Sequence, residues 1–222
     1  MKRHKLVEYL PVVAIGVLAL AVAVRMRVVV PSARHELPTW RGVPVWKTPG
    51  ELWLLQEIVH KTQPDVIVET GTFKGGSALF LASLLDFRGS GKVVSVDIKD
   101  LQPRPKHDRI TYLIGSSVDP SVVRQVKAAI SPGGTVLVDL DSAHDRAHVL
   151  AELRAYADVV SVGSYIVVED AKSARALLPD RRRQPGQAVD EFLSENPNFV
   201  SDPSWPERLG VESRSEYLRR VR

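Results

Sequence analysis

The 222-residue chain contains no cysteine. That excludes disulfides, thiolate metal centres and cysteine nucleophiles together, and it is compatible with a reducing compartment. Excess charge is small: 30 Lys and Arg stand against 26 Asp and Glu, a formal net charge of +4. The basic residues are scattered. The one dense run, Arg181–Arg183, is too short for a nucleic-acid surface and reads as a solvated loop, so no nucleic-acid partner is expected. There is no internal repeat and no low-complexity stretch, which removes solenoids and low-complexity tails. The dinucleotide fingerprint G-x-G-x-x-G is also missing. What remains, 44% hydrophobic and 25% charged residues, suits a globular domain with a real core.

One long hydrophobic run is present. Residues 6–24, LVEYLPVVAIGVLALAVAV, are apolar apart from Glu8 and Tyr9, with basic residues on both sides. The run sits at the lower edge of the roughly 20 residues that span a bilayer as a helix. It reads as an N-terminal hydrophobic helix anchoring the chain to a membrane, with residues 1–30 as anchor and 31–222 as a cytoplasmic catalytic domain. A cleavable signal peptide is the rival, but no small-x-small cleavage site follows. Initiation at Met26 is a third reading and leaves a soluble cytoplasmic protein.

Beyond residue 30 the pattern alternates. Residues 31–49 read as a proline-punctuated loop. Helical spacing over 50–62 ends at Pro64. Short apolar strands follow at 66–68, 93–96, 110–114, 135–140 and 165–168, separated by helical stretches at 77–85, 121–130 and 147–157. A last helix is expected at 188–195. Strands alternating with helices predict an α/β, Rossmann-like, doubly wound and mostly parallel sheet.

Every strand carries its polar residues at the C-terminal tip, the edge where open α/β sheets bind ligands. The first is the most telling: VIVETGTFKGGSALF, residues 66–80. Gly71 allows a sharp turn, and Gly75 or Gly76 lets the next helix begin close by. Asp97, at the next tip, sits where an acid takes ribose hydroxyls. A carboxylate at Glu69 suits a cationic sulfonium better than a pyrophosphate. Together these read as an S-adenosylmethionine site; the plainer alternative is an ordinary glycine turn.

Asp141, Glu169 and Asp170 form a second group, at the tips of two adjacent strands. Three acids in one cleft repel unless a cation or protons intervene, and hard oxygen donors suit Mg²⁺, with Mn²⁺ or Ca²⁺ as alternatives. The plainer reading is three separately solvated loop acids. His144 reads as a general base beside that metal, against a helix-start residue with no role. His148 reads as packing or support. A zinc-type site on Asp141, His144 and His148 is the rival, but it leaves Glu169 and Asp170 unexplained.

WRGVP (40–44), QEI (56–58), PDVIVETGTFKGGSALFLAS (64–83), GSS (115–117), LDSAH (140–144), HVLAEL (148–153), VSVGSYIVVED (160–170), PGQAVDEFL (185–193) and YLRR (217–220) follow one another in order. In these segments the chain resembles the rhamnosyl O-methyltransferase and cephalosporin hydroxylase family over residues 38–222. The resemblance implies a class I methyltransferase fold and S-adenosylmethionine- and Mg²⁺-dependent O-methylation of a sugar, glycolipid or other natural-product hydroxyl. It implies metal ligands at Asp141, Glu169 and Asp170, the base at His144, and donor contacts at Glu69, Gly71, Gly75, Ser77, Asp97 and Ser117. The acceptor is then a small molecule or a lipid-linked sugar, and a homo-oligomer is compatible. Ala143 departs from the pattern, standing where the family usually carries an acid, and the approach before Trp40 is short. Two other classes stay open at this point: a non-catalytic membrane-tethered binding protein of the same fold, and a metal-dependent hydrolase using the same acids.

Overall fold

The computed structural model describes residues 37–172 and 184–222. The hydrophobic run at 6–24, the alternative start at Met26 and the basic run Arg181–Arg183 lie outside the described residues. Among the described residues no helix is long and apolar enough to cross a membrane.

Where a plain loop was expected, the chain makes a small hairpin. Strands β1 (Thr39–Trp40) and β2 (Val43–Pro44) pair antiparallel across Arg41 and Gly42. Both turn residues have positive φ, 51° and 82°, as a tight hairpin turn with the strands' own twist demands. The hairpin is fastened to the domain through Trp40, whose Nε1 donates to Ser83 Oγ at 3.0 Å and whose ring stands edge-on to Phe80. Helix α1 (Pro49–Thr62) follows. Thr48 caps it reciprocally: Glu51 N donates to Thr48 Oγ1, and Thr48 N donates to Glu51 Oε2.

The alternation then runs β3 (Val66–Thr70), α2 (Gly76–Arg88), β4 (Lys92–Asp97), β5 (Ile110–Ile114), α3 (Pro120–Ala128), β6 (Val136–Leu140), α4 (Arg146–Tyr156), β7 (Tyr165–Val168) and α5 (Gln184–Glu195). Three further elements were not read from the sequence: β8 (Phe199–Ser201), α6 (Ser204–Leu209) and β9 (Glu216–Arg220). The seven-stranded sheet has the order β5-β4-β3-β6-β7-β9-β8. From β5 to β7 it is parallel, while β9 runs antiparallel to both β7 and β8.

Side chains alternate along each strand and fill two layers. Val68, Val94, Val138 and Ile166 pack with Val122, Leu153, Tyr156 and Phe192 on one face. Ile67, Val93, Leu137 and Val167 pack with Leu54, Ile58, Leu81, Leu85 and Trp205 on the other. The mostly parallel, two-faced α/β sheet expected from the pattern is therefore present.

Candidate active site

After β3 the chain adds β4 and β5 on one side, then returns to add β6 and β7 on the other. The crevice between the tips of β3 and β6 is the switch point where such sheets bind ligands. The chain closes tightly there. Asp141 N donates to Thr70 O at 3.0 Å, and a Cβ on Gly71, whose φ is 88°, would lie 2.0 Å from Asp141 O. Glycine at position 71 is thus required twice, by its φ and by this approach.

A cleft of about 560 Å³ opens over these tips, within the range of roughly 300–1,000 Å³ usual for small-molecule sites. Of the residues expected at the site, Gly71, Asp97, Ser117, Asp141 and His144 line it, as does His148. Trp46, Phe73, Ile98 and Leu101 supply apolar wall. Asp97 is held by two backbone amides: Phe73 N donates to Oδ2 and Lys99 N to Oδ1, each at 2.8 Å. Arg104 Nη2 lies 3.8 Å from Oδ2, and the carboxylate opens on the cleft.

Three of the expected donor contacts do not line the cleft. The strand continues past Val68 to Thr70, so Glu69 lies within the sheet and is fully buried. Burial pushes its carboxyl up, against the hydroxyls of Ser77 and Ser95 and the charge of Lys47. Ser95 Oγ donates to Glu69 Oε2 at 2.5 Å. Ser77 accordingly supports Glu69 rather than a ligand. Gly75 caps α2 and packs against Pro105 and Tyr112, where a Cβ would meet atoms at 2.9 Å.

Ser117 belongs to a chain of polar contacts under the opposite wall. His148 Nε2 lies 3.0 Å from Ser117 Oγ and 3.6 Å from Glu152 Oε1, and Ser142 Oγ donates to the same Glu152 oxygen at 2.7 Å. Glu152 raises the His148 imidazole by hydrogen bonding and charge, against partial burial. Among the described residues Asp141, His144 and His148 form no zinc-type group.

The acids meet a cation from the chain itself. Lys47 Nζ lies 2.9 Å from Asp141 Oδ2, 2.8 Å from Glu169 Oε1 and 3.2 Å from Asp139 Oδ2. Burial alone would push the ammonium down, but these charges and the hydrogen bond to Glu169 outweigh it and hold it well above the usual lysine range. Burial raises Asp139 well above the carboxylate range and pushes Asp141 up to about 7, in both cases against the opposing charge of Lys47. Glu169 Oε2 accepts from Ser215 Oγ at 2.5 Å.

Asp170 turns away from this knot. Its φ of 56° is in the left-handed region that aspartate tolerates better than most residues. Its carboxylate lies 3.0 Å from Arg214 Nη1 and 3.7 Å from His144 Nε2. His144 Nε2 is also 4.0 Å from Asp141 Oδ1, and the side chain is half exposed to the cleft. Asp141, Glu169, Asp170 and His144 are thus brought together. Yet among the described residues no three acids or imidazoles already surround a common point. Lys47 holds two of the acids and Arg214 the third.

Lys47, Asp139, Arg214 and Ser215 were missed from the sequence. Asp139 was legible as a polar residue interrupting a buried strand. The other three come from segments 94 and more residues away from Asp141 or close to the C-terminus, and no local spacing points to them.

A family model described as Rhamnosyl O-methyltransferase/CmcI matches residues 34–221. A rhamnosyl O-methyltransferase of Mycobacterium tuberculosis is 34% identical over 166 residues, covering 72% of this chain and 68% of that protein. A rhamnosyl O-methyltransferase of Mycobacterium leprae is 33% identical over 178 residues, covering 78% of each. Among solved structures, CmcI with Mg and SAM superposes with a TM-score of 0.64 at 21% identity, over 83% of this chain and 77% of that one. The MycE methyltransferase, in complex with Mg, SAH and mycinamycin VI, superposes with a TM-score of 0.56 at 18% identity, over 77% of this chain and 48% of that one. At such identities the superpositions establish the fold, and the family rests on the sequence matches: the chain belongs to the rhamnosyl O-methyltransferase/CmcI family.

Proposed function

We propose that this chain transfers the methyl group of S-adenosylmethionine to a hydroxyl of a sugar-bearing acceptor, with a divalent cation, Mg²⁺ or Mn²⁺, held at Asp141, Glu169 and Asp170. The observation that carries this reading is the cleft at the switch point. It sets a ribose-type acid, Asp97, at one end and a base, His144, beside Asp141 and Asp170 at the other. The donor would lie along the tips of β3, β4 and β5, with Asp97 accepting from its hydroxyls and Ser117 at the wall. His144 is the group placed to take the acceptor's proton while the new oxygen–carbon bond forms and the carbon–sulfur bond breaks, leaving a neutral thioether. Holding both reactants in line accounts for much of the rate in such reactions.

The acids fit a divalent cation by their chemistry. All three are hard oxygen donors, Asp141 opens on the cleft, and Asp170 Oδ1 is ion-paired to Arg214 Nη1 at 3.0 Å without a hydrogen bond. When bound, the cation supplies positive charge that lowers the pKa of an acceptor hydroxyl. A sugar acceptor is suggested by the names of the relatives, and a lipid-linked one by the hydrophobic run at 6–24, which reads as an anchor from its hydropathy. Ala143 lines the acceptor side of the cleft, leaving room where an acid would otherwise stand.

Thermal unfolding of the full chain with S-adenosylmethionine and Mg²⁺, separately and together, tests the reading. A ligand at about 100 times its Kd stabilises by roughly 2.7 kcal/mol. For a domain of this size that is a rise of about 5–10 °C in Tm. No rise with the donor, alone or with Mg²⁺, sinks the methyltransferase reading; a rise with metal alone favours the hydrolase.

A further inference from the structure

We propose that Trp46 is the platform for the acceptor: its indole face takes the apolar C–H face of the acceptor sugar, while the sugar's hydroxyl edge turns to His144 and the acids. This rests on the methyltransferase reading above and deepens it, by assigning a binding residue to the acceptor end of the cleft.

Trp46 lines the cleft and is 64% exposed. Such an indole adds little to the core, and in the wall of a ligand-sized cleft it is apolar surface left for a ligand to cover. Its place is nonetheless fixed, because the residues on both sides of it are buried. Val45 N donates to Pro38 O at 2.8 Å, and Val45 Cγ2 packs so close to the start of α2 that a Cβ on Gly76 would lie 2.8 Å from it. Lys47 Nζ is held 2.9 Å from Asp141 Oδ2 and 2.8 Å from Glu169 Oε1. The Trp46 ring stands edge-on to Phe73, with centroids 5.6 Å apart. An aromatic surface held in place before the ligand arrives costs little ordering on binding.

These neighbours put Trp46 at the acceptor end. Through Lys47 it is tied to the tips of β6 and β7, where Asp141 and Glu169 lie, and through Phe73 to the turn after β3. The donor's place is on the other side of the switch point, at Asp97 and Ser117 beyond β4 and β5, where Ile98 and Leu101 supply apolar wall. Trp46, Asp141 and His144 line one cleft. A sugar suits that combination. Its hydroxyls radiate from the edge of the ring, whereas the C–H bonds of one face form an apolar patch, which the negative face of an aromatic ring attracts.

The test adds methyl α-L-rhamnopyranoside, chosen because relatives of this chain are named rhamnosyl O-methyltransferases, to the full chain saturated with S-adenosylhomocysteine and Mg²⁺. Binding is read by calorimetry, and contact by nuclear Overhauser effects between indole protons and the glycoside's ring C–H protons. Trp46→Ala is expected to bind the glycoside at least about tenfold more weakly, the scale of losing one aromatic anchor. Its Kd for S-adenosylhomocysteine stays within about twofold, since that ligand lies elsewhere. Its Tm stays within about 3 °C of wild type, because an exposed ring is removed. Trp46→Phe keeps an aromatic face and binds the glycoside within about threefold, but the indole–sugar effects vanish; this variant carries the test should Trp46→Ala fail to fold. A smaller loss in Trp46→Ala, or indole effects that persist in Trp46→Phe, overturns the proposal. So does a loss of about tenfold in S-adenosylhomocysteine affinity in Trp46→Ala, which makes Trp46 a donor contact. A wild type that takes S-adenosylhomocysteine but no glycoside overturns it too. A wild type that takes neither removes the methyltransferase reading together with this inference, whereas glycoside binding indifferent to Trp46 removes the inference alone.

Discussion

Two histidines four residues apart serve different ends of the cleft. His144 faces Asp141 and Asp170 and is half exposed, as a base that must meet a substrate is. His148 is tied to Ser117 and Glu152, and Tyr156 OH donates to Ser117 O at 2.6 Å from below. Ser117 is therefore fixed by its backbone as well as its hydroxyl. Replacing His144 by Ala is expected to lower kcat by about 10²–10⁴-fold while the donor Kd stays within about twofold. Full turnover by this variant would remove His144 as the base. His148→Ala is expected to do the reverse. The donor Kd, read by calorimetry, rises about threefold to tenfold, the loss of roughly one hydrogen bond, and kcat at saturating donor changes little. An unchanged Kd would mean that the Ser117 wall does not contact the donor.

At the scale of elements, the start of α1 shapes the site as much as any strand tip. The pair Thr48 and Glu51 with Pro49 between them is a readable helix start, and the helix begins where it dictates. Its consequence was not readable. Nothing in the spacing says that the residue before the cap returns to acids 94 and 122 positions away. Thr48→Ala should cost about 1 kcal/mol, or about 2–4 °C in Tm at this size. A Thr48→Ala protein that melts with wild type would show that the cap contributes nothing to stability. The parallel strands were legible because both their faces are buried and their residues run almost wholly apolar. The misjudged end of β3 has the complementary cause. Glu69 interrupts the apolar run, yet the strand continues, with Ser95 of the neighbouring strand donating to Glu69 Oε2.

Over the whole molecule, residues 214–220 are among those that hold the site together. β9 lies between β7 and β8, paired with four residues of one and three of the other, and it buries Tyr217 and Leu218. Just before it, Arg214 reaches Asp170 and Ser215 donates to Glu169. Such an arrangement leaves little trace in the sequence: EYLRR is short, charged at three of its five positions, and paired with strands distant along the chain, so only its long-range partners make it a strand. The consequence is that neither sheet nor site is complete without residues 214–220. Deleting residues 214–222 exposes the edge of β7, strips β8 of its partner and opens part of the core. The expected outcome is a chain that no longer melts cooperatively and is recovered mainly as aggregate, since an unpaired apolar strand edge recruits other chains. Ser215→Ala separates the two roles of this segment. It removes one hydrogen bond to Glu169, costing about 1 kcal/mol of stability, and leaves the sheet intact. A truncated protein that stays soluble and unfolds within about 3 °C of the full chain would show that the C-terminal strand is dispensable to the fold.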